Sequence, residues 1–296
     1  MIVITGASGK TGGWAAEELL DRGQKIRVLA RDAGHLRHLT QRGAEPVIGD
    51  ESDPEFLSRV LKNAEAAYLL IPTDLKTDDL RGHYNRIGDA AIEAITSSGL
   101  KKLVFLSSLG AEHESGTGPI AGLHDVEEKL DRLEGVDIVF LRAGFFYENT
   151  LAYVDEIKAK QTFSYPADPD SPILMVGARD VGLRAAELLQ TRSFFGHSIE
   201  ELFGDRLSFN DVTGIIAEKL GYPIVNYVRI AGTEAIRSMR ERGMSEAMAK
   251  SYLELAGAFS KGLITAIKQK STMPNASQRF GKFVEEEFYQ AYRKAA

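Results

Sequence analysis

The sequence contains no cysteine. Disulfide bonds, thiolate catalysis and cysteine-ligated zinc are therefore excluded, and a reducing cytoplasm is the compartment that we expect. Long apolar runs are also missing. None reaches the roughly 18 to 20 residues of a membrane-spanning helix, so we expect no membrane association. The first apolar stretch ends at Ile4 and is followed by a glycine-rich segment, which predicts that there is no signal peptide or long leader.

Basic residues are fewer than acidic ones, 36 against 42, and the formal net charge is −6. This balance argues against direct contact with a nucleic-acid backbone. No metal site is predicted, because no metal-ligand spacing is seen among the histidines at positions 35, 38, 83 and 113. The 296 residues, 44% hydrophobic and 26% charged, are typical of a soluble globular protein with one large domain or a domain and a smaller lobe.

The first half of the chain alternates short apolar runs with helical patterns. The runs predict strands over residues 2–5, 25–30, 45–48, 66–71, 102–106 and 137–141. The intervening patterns predict helices over residues 11–22, 34–42, 54–61, 79–98 and 124–133. Strands that are apolar throughout are buried on both faces, as in a parallel sheet covered by helices. Together with the right-handed crossover rule, this predicts an α/β fold with a doubly wound, parallel Rossmann sheet.

The second half loses this alternation. Two further strands are predicted over residues 173–176 and 198–203. From Ser208 onward the pattern is almost entirely helical, with breaks near Gly221, Gly232, Gly243 and Met273–Pro274. We therefore predict a Rossmann domain over residues 1–150. The rest, 151–296, would hold the remaining strands and a smaller, mostly helical C-terminal lobe that closes over the sheet edge and binds substrate.

A glycine-rich turn, TGASGKTGG at residues 5–13, follows the first strand. In this position Gly6 permits a tight turn, Gly9 lets the backbone approach a pyrophosphate, and Gly12 lets the helix pack on the sheet. The helix start then offers free N–H groups and a partial positive charge to phosphates. A turn without a ligand is the alternative, but the place after the first strand of a βαβ series favours a dinucleotide. The residues predicted to bind it here are Gly6, Ser8, Gly9, Lys10, Thr11 and Gly12.

The second strand ends in Ala30-Arg31-Asp32. An acid at this place holds the ribose 2′-hydroxyl of NAD(H), whereas an arginine suits the 2′-phosphate of NADP(H). Arg31 comes first, so we expect NADP(H) in preference to NAD(H), and a solvated surface arginine is the alternative. After the third strand, Asp50 is predicted either to accept a hydrogen bond from the adenine amino group or to cap the helix that begins near Pro54.

Together these segments resemble a known family, the atypical short-chain dehydrogenases of the NmrA-like group. The resemblance rests on TGASGKTGG at 5–13, Arg31, GD at 49–50, LLIP at 69–72, LVFLSSLGA at 103–111, LRAGFFYEN at 141–149, ARDVG at 178–182 and LSFNDVTGIIAEKLGYPI at 207–224. It covers nearly the whole chain and is closest to members that reduce quinones and triphenylmethane dyes. The family also includes dinucleotide-binding regulators without known turnover.

One departure from ordinary short-chain dehydrogenases concerns the proton donor. Those enzymes use Tyr-x-x-x-Lys on the helix after strand five, but here Ile120 stands at the tyrosine position and His124 at the lysine position. The pattern His124-x-x-x-Glu128 resembles the quinone- and dye-reducing branch. The resemblance therefore implies hydride transfer that does not depend on the missing tyrosine.

In a doubly wound sheet the ligand lies outside the carboxyl ends of the strands. The residues predicted to surround the nicotinamide there are Ile71, Pro72, Thr73, Ser107, Ser108, Gly144, Phe145, Phe146, Tyr147 and Asn149. Of these, Ile71, Pro72 and Phe145 are assigned to the cofactor. The predicted catalytic residues are His124, Ser107, Ser108 and Tyr147.

Each of these roles has an ordinary structural alternative. The serine hydroxyls either polarise a carbonyl oxygen or cap the turn, and the phenylalanines either stack on a flat acceptor or fill the core. His124 either donates a proton near neutral pH or is structural. Core filling is the favoured interpretation for the methionines at 239, 244 and 248, although a pocket wall is the alternative.

The combined pattern predicts an NADPH-dependent reductase that transfers hydride to a flat, conjugated small molecule such as a quinone. The alternative is a regulator that senses NADP(H) and binds a protein partner without turnover. A sugar-nucleotide epimerase is disfavoured, because that chemistry needs the tyrosine base. Monomer and homodimer remain open.

Overall fold

A computed structural model describes residues 1–267 and 275–295 of the chain. The strands are β1 (Ile2–Ile4), β2 (Ile26–Ala30), β3 (Glu45–Ile48), β4 (Ala66–Leu69), β5 (Lys102–Ser108), β6 (Asp137–Ala143), β7 (Phe145–Phe146), β8 (Thr162–Tyr165), β9 (Ile173–Val176), β10 (His197–Leu202), β11 (Asp205–Leu207) and β12 (Asn226–Arg229). The helices are α1 (Lys10–Asp21), α2 (Arg37–Gln41), α3 (Pro54–Leu61), α4 (Leu80–Ser98), α5 (Ile120–Leu130), α6 (Val154–Lys160), α7 (Ala178–Thr191), α8 (Phe209–Leu220), α9 (Gly232–Glu241), α10 (Glu246–Ser260), α11 (Phe280–Phe283) and α12 (Tyr289–Lys294). Tighter 3₁₀ turns cover Ala33–Leu36 and Tyr147–Tyr153, and a π-helical turn covers Val284–Phe288.

The central layer is a seven-stranded parallel sheet with the order β10-β6-β5-β4-β1-β2-β3. Its inner strands β1 and β4 are buried at every position, as continuous apolar runs require. Helices α1 and α7 pack against each other, and α3, α4 and α5 form a second group of contacts. The predicted fold class, a doubly wound Rossmann sheet, is confirmed.

The second half of the chain also contributes to this sheet. The strand predicted over residues 198–203 is β10, which pairs with β6 at the sheet edge. The strand predicted over 173–176 is β9, which lies in a separate three-stranded sheet between β11 and β7. The division of the chain at residue 150 stays a prediction.

One helix prediction was wrong in its bounds. The helix predicted from His124 begins four residues earlier, at Ile120, because Pro119 stands at its N-terminal boundary with a helical φ of −59°. In the mostly helical segment after Ser208, the strand β12 (Asn226–Arg229), which pairs with β8, was not predicted. The break predicted at Met273–Pro274 lies outside the described residues.

The C-terminal helices close over the carboxyl ends of the central strands. Helices α9 and α10 pack against each other, and the turn between them is tied to the loop after β4. There the N–H of Ser245 donates to the carbonyl of Leu75 (2.9 Å), and its hydroxyl donates to the carbonyl of Thr77 (2.6 Å).

A membrane-crossing helix, which would have to be longer and more apolar, does not occur in the part of the chain that the structure describes.

Candidate cofactor and substrate site

The glycine turn after β1 is built from close backbone contacts. Gly6 has a φ of +58°, and a Cβ there would lie 2.7 Å from the Leu70 side chain. A Cβ at Gly12 would lie 2.4 Å from the carbonyl oxygen of Gly6. Gly9 is different, since its φ is −90° and its Cβ would meet only the Gly6 oxygen, at 3.2 Å. Fold geometry therefore requires glycine at 6 and 12, whereas Gly9 leaves the approach to the helix open.

Helix α1 begins without a side-chain cap. Its N-terminal boundary residue is Gly9, and no acidic residue stands in its first turn. The free N–H groups and the helix dipole therefore favour an anion at this end. Ser8 and Lys10 are exposed beside it. The Thr11 side chain instead points into the protein, where its hydroxyl accepts a hydrogen bond from Tyr68 (3.0 Å). Thr11 can therefore contact a ligand through its backbone N–H rather than through its side chain.

The end of β2 separates the roles of Arg31 and Asp32. The Asp32 carboxylate accepts a hydrogen bond from the N–H of Gly34 (2.7 Å) and caps the 3₁₀ turn that follows. Arg31 is exposed and forms no ion pair with any residue that the structure describes. It lines a cleft of about 270 Å³ together with Glu51, Pro72, His83 and other residues. The cation is thus available to a ligand, while the neighbouring acid is engaged in the turn.

After β3, Asp50 and Asp53 have different roles, and it is Asp53 that caps the next helix. The Asp50 carboxylate lies in the same cleft and accepts a hydrogen bond from the N–H of Ser52 (2.9 Å), which lowers its pKa. The cap of α3 is Asp53, whose carboxylate accepts from the N–H of Phe56. The helix-cap alternative for Asp50 is therefore wrong.

Glu51 is a residue of this cleft that the sequence analysis missed. Burial raises the pKa of Glu51 to about 7, although a hydrogen bond from the N–H of Gly6 and the nearby charge of Arg31 act in the opposite direction. A partly buried carboxyl group therefore joins the glycine turn to the arginine cleft. Its position directly after Asp50 was the only signal in the sequence.

A larger cavity of about 540 Å³ lies between the carboxyl ends of β4, β5 and β6 and the C-terminal helices. Of the predicted nicotinamide residues, its wall contains Ile71, Thr73, Ser107, Ser108, Gly144, Phe145, Phe146 and Asn149. Pro72 lies in the Arg31 cleft instead. Met239 and Met244 also line the cavity, so the favoured core interpretation is wrong for these two, whereas Met248 is fully buried.

Ser107 and Ser108 end β5 but differ in their hydrogen bonding. Ser107 is 4% exposed, and its hydroxyl has no hydrogen-bond partner among residues 1–267 and 275–295. The Ser108 hydroxyl donates to the carbonyl of Leu109 (3.0 Å). A buried hydroxyl without a partner is costly unless a ligand or water satisfies it. Ser107 therefore carries the available donor in this part of the wall.

Two predicted catalytic residues do not line the cavity. Tyr147 is fully buried between Phe280 and Phe283, and its hydroxyl donates to the Asp205 carboxylate. Burial also raises the pKa of Tyr147. The His124 ring is bonded through Nδ1 to the carbonyl oxygen of Ala111 (2.8 Å). Tyr147 thus joins β11 to the C-terminal segment, and the histidine faces the loop after β5.

Several tyrosines line the cavity that the sequence analysis did not assign to it. They are Tyr84, Tyr153, Tyr165 and Tyr252. Burial raises the pKa of each, to about 12 for Tyr252. Their phenols are therefore neutral at physiological pH and can donate hydrogen bonds. No local pattern marks them, because they come together from α4, the turn before α6, β8 and α10.

Glu148 is a further wall residue that was missed. Both of its carboxylate oxygens accept the N–H of Ala178 at the start of α7 (3.0 and 3.2 Å). Desolvation raises the pKa of Glu148, although backbone hydrogen bonds, including the one from Ala178, and the charge of Lys10 act in the opposite direction. The carboxylate therefore occupies the N-terminus of α7 and leaves that of α1 free.

A cluster of His, Cys, Asp or Glu able to hold a metal ion is not found within the described ranges.

Comparisons with known proteins agree with this geometry. The sequence profile of the NmrA-like family matches residues 1–280. An NAD(P)H azoreductase from Xenophilus azovorans is 26% identical over 255 residues, which is 86% of each chain. Among solved structures, an NADPH-dependent quinone oxidoreductase from Escherichia coli in complex with NADPH aligns with a TM-score of 0.79 at 22% identity, over 90% of this chain and 91% of that one. Triphenylmethane reductase from Citrobacter in complex with NADP(H) aligns over 100% of both chains, with a TM-score of 0.78 at 19% identity.

Proposed function

The chain belongs to the NmrA-like family, and on this basis we propose that it is an NADPH-dependent reductase of flat, conjugated small molecules such as quinones. The observation that carries the proposal is the junction of two features. The first is an uncapped helix start behind a glycine turn, and the second is an apolar cavity whose wall contains several aromatic residues. They meet at Leu70, which lines the cavity and whose side chain would lie 2.7 Å from a Cβ at Gly6. The relatives named above, which are reductases of azo compounds, quinones or triphenylmethane dyes, support the same class of acceptor.

The residues present fit a dinucleotide. Gly9 leaves space where a Cβ would stand, and the free N–H groups that begin α1 suit the pyrophosphate. Arg31 suits the 2′-phosphate, because Asp32 is engaged as a cap and the guanidinium has no ion pair among the described residues. Ile71 and Phe145 would border the nicotinamide. When bound, NADPH supplies the hydride.

The chain's own residues would bind and orient the acceptor. The aromatic rings of Phe145, Phe146 and Tyr153 offer stacking surface for a planar molecule. The Ser107 hydroxyl would donate to a carbonyl oxygen of the acceptor and stabilise the negative charge that develops there. The helices tied down through Ser245 would exclude water from the cavity.

The decisive experiment is an anaerobic assay of NADPH oxidation with a panel of quinones, azo compounds and cationic dyes. We expect oxidation with at least the quinones. If the protein binds NADPH but oxidises none of it with any acceptor, a regulator that senses the cofactor becomes the better description. This second function is favoured by Ile120, which stands at the position where ordinary short-chain dehydrogenases have their catalytic tyrosine.

Replacing Arg31 with alanine should change the choice of cofactor. The guanidinium is expected to form charge-assisted hydrogen bonds with the 2′-phosphate, so its loss should weaken NADPH binding by about 1 to 3 kcal/mol. NADH lacks that phosphate and should bind nearly as before. Calorimetric titration of both cofactors measures the two losses. Arg59→Ala, an exposed arginine on α3 outside the cleft, is the control. Equal losses for NADPH and NADH would refute the role of Arg31.

Replacing Ser107 with alanine should lower quinone turnover without unfolding the protein. The hydroxyl makes no hydrogen bond within the described residues, so its removal should leave the melting temperature nearly unchanged. If it donates to the acceptor oxygen as negative charge develops there, kcat/KM should fall about 10- to 150-fold, the value of one hydrogen bond to a charged group. Ser98→Ala, which loses a side-chain hydrogen bond to the Ile95 carbonyl at the end of α4 and lies outside the cavity wall, is the matched control. An unchanged rate in Ser107→Ala would remove this residue from the mechanism.

A further inference from the structure

The wall of the large cavity contains very little charge. Among the described residues that line it, the charged side chains are Glu148 and Arg242. Glu148 is engaged, since both of its oxygens accept the N–H of Ala178. Arg242 is therefore the cation that the cavity presents to a ligand, in surroundings that are otherwise apolar or neutral.

Arg242 is held at the end of α9 by its backbone and by an aromatic ring. Its N–H donates to the carbonyl of Ser238 (3.2 Å), and its guanidinium carbon lies 5.6 Å from the ring centroid of Tyr153. Such a contact orients the guanidinium plane against the ring while leaving its N–H groups free. The negative end of the α9 dipole also favours a cation here.

No carboxylate of the described residues forms an ion pair with this guanidinium. Arg242 is exposed and forms no ion pair with any residue in the ranges 1–267 and 275–295. Two positions earlier on the same helix, Arg240 lies 3.7 Å from the Glu246 carboxylate. Arg242 thus differs from its neighbour in two ways: it lines the cavity, and it lacks an acidic partner.

We propose that Arg242 binds an anionic substituent of the substrate, so that the cavity selects flat acceptors carrying a carboxylate, sulfonate or phosphate. The ring system would lie against the aromatic wall, and its charged edge would reach the guanidinium near Tyr153. A planar guanidinium pairs with two oxygens of such a group at once. The inference rests on the proposed reductase function, from which the flat ring system of the substrate is taken. It adds that the substrate carries a negatively charged group.

The test compares two ligands that differ in charge and hardly in shape: a naphthoquinone carboxylate and the corresponding carboxamide. Their dissociation constants are measured by calorimetry on the protein saturated with NADP⁺, and their KM values with NADPH. The wild-type protein should prefer the carboxylate by roughly fivefold, which is modest because the guanidinium is partly solvated. Arg242→Gln should lose this preference, and Arg242→Lys should restore part of it. Arg240→Ala, on the same helix but outside the cavity wall, should keep it.

An equal affinity for the two ligands in the wild-type protein would overturn the inference, as would a preference that survives in Arg242→Gln or the absence of binding by either ligand. The result is separable from the proposed function. If the calorimetric preference depends on Arg242 but no acceptor is reduced, the reductase assignment fails and the anion site stands. If quinones are reduced but charge has no effect, the anion site fails and the reductase stands.

Discussion

Gly9→Val is expected to abolish the binding of both NADPH and NADH while the protein stays folded. The φ of −90° at Gly9 suits any residue, and the first atom of a side chain would meet only the Gly6 oxygen at 3.2 Å. This contact is tight, so the Gly6 carbonyl must move by a few tenths of an ångström, and we expect the protein to fold with a lowered melting temperature. The branched side chain would instead occupy the space in front of α1, where the pyrophosphate is expected. Since several charge-assisted hydrogen bonds are lost together, each about 1.5 to 3 kcal/mol, binding should weaken by at least about 100-fold.

Neighbouring glycines provide the controls for this experiment. Gly13→Ala places a Cβ 3.4 Å from the Ala7 oxygen, which is an ordinary contact, and should retain cofactor binding. Gly12→Ala places a Cβ 2.4 Å from the Gly6 oxygen and should destabilise the fold itself. Circular dichroism and melting temperature separate the two kinds of loss. Retained binding by a folded Gly9→Val protein would show that the phosphates lie elsewhere.

The central sheet could be predicted because its strands carry a local signal. Ile2–Ile4 and Ala66–Leu69 are buried at every position, and such strands appear in the sequence as uninterrupted apolar runs. The glycine turn could be predicted for a similar reason, since its backbone contacts involve residues only a few positions apart. The strand Asn226–Arg229 was missed because three of its four residues are exposed. It is short and, within the described residues, pairs with β8 alone, so its sequence has neither an apolar run nor a regular alternation.

The candidate site could be predicted only where it follows directly from the strand ends. Ser107 and Phe145 line the cavity as expected, because each stands where a central strand ends or just beyond. Tyr147 does not line it, since the chain turns after Phe146 and carries the phenol toward Asp205. The cavity tyrosines and Arg242 come from elements distant in the sequence. Their grouping depends on how the C-terminal helices pack, and no local pattern in one sequence encodes that packing.

The choice of acceptor should follow from the absence of the usual proton donor. Ile120 stands where ordinary short-chain dehydrogenases have tyrosine, and its side chain forms part of the cavity wall. A simple ketone needs a proton as it accepts hydride, whereas an electron-poor quinone can accept hydride first and be protonated afterwards. We therefore expect rapid NADPH oxidation with quinones. With ordinary ketones the rate should be lower by about 10²- to 10⁴-fold, the usual contribution of a positioned general acid.

His124→Ala tests whether another residue has taken over the tyrosine's role. Because the His124 ring is bonded to the Ala111 carbonyl and does not line the cavity, the variant should lower quinone reduction by less than about tenfold, well short of the loss of an obligatory acid. Steady-state rates with a matched quinone and ketone, and with a secondary alcohol and NADP⁺ in reverse, measure both parts of the prediction. Efficient ketone reduction would contradict it and would direct attention to the neutral phenols in the wall, Tyr84 and Tyr252. A loss of 10²-fold or more in His124→Ala would instead show that the histidine delivers the proton, which would require the ring to leave Ala111 when substrate binds.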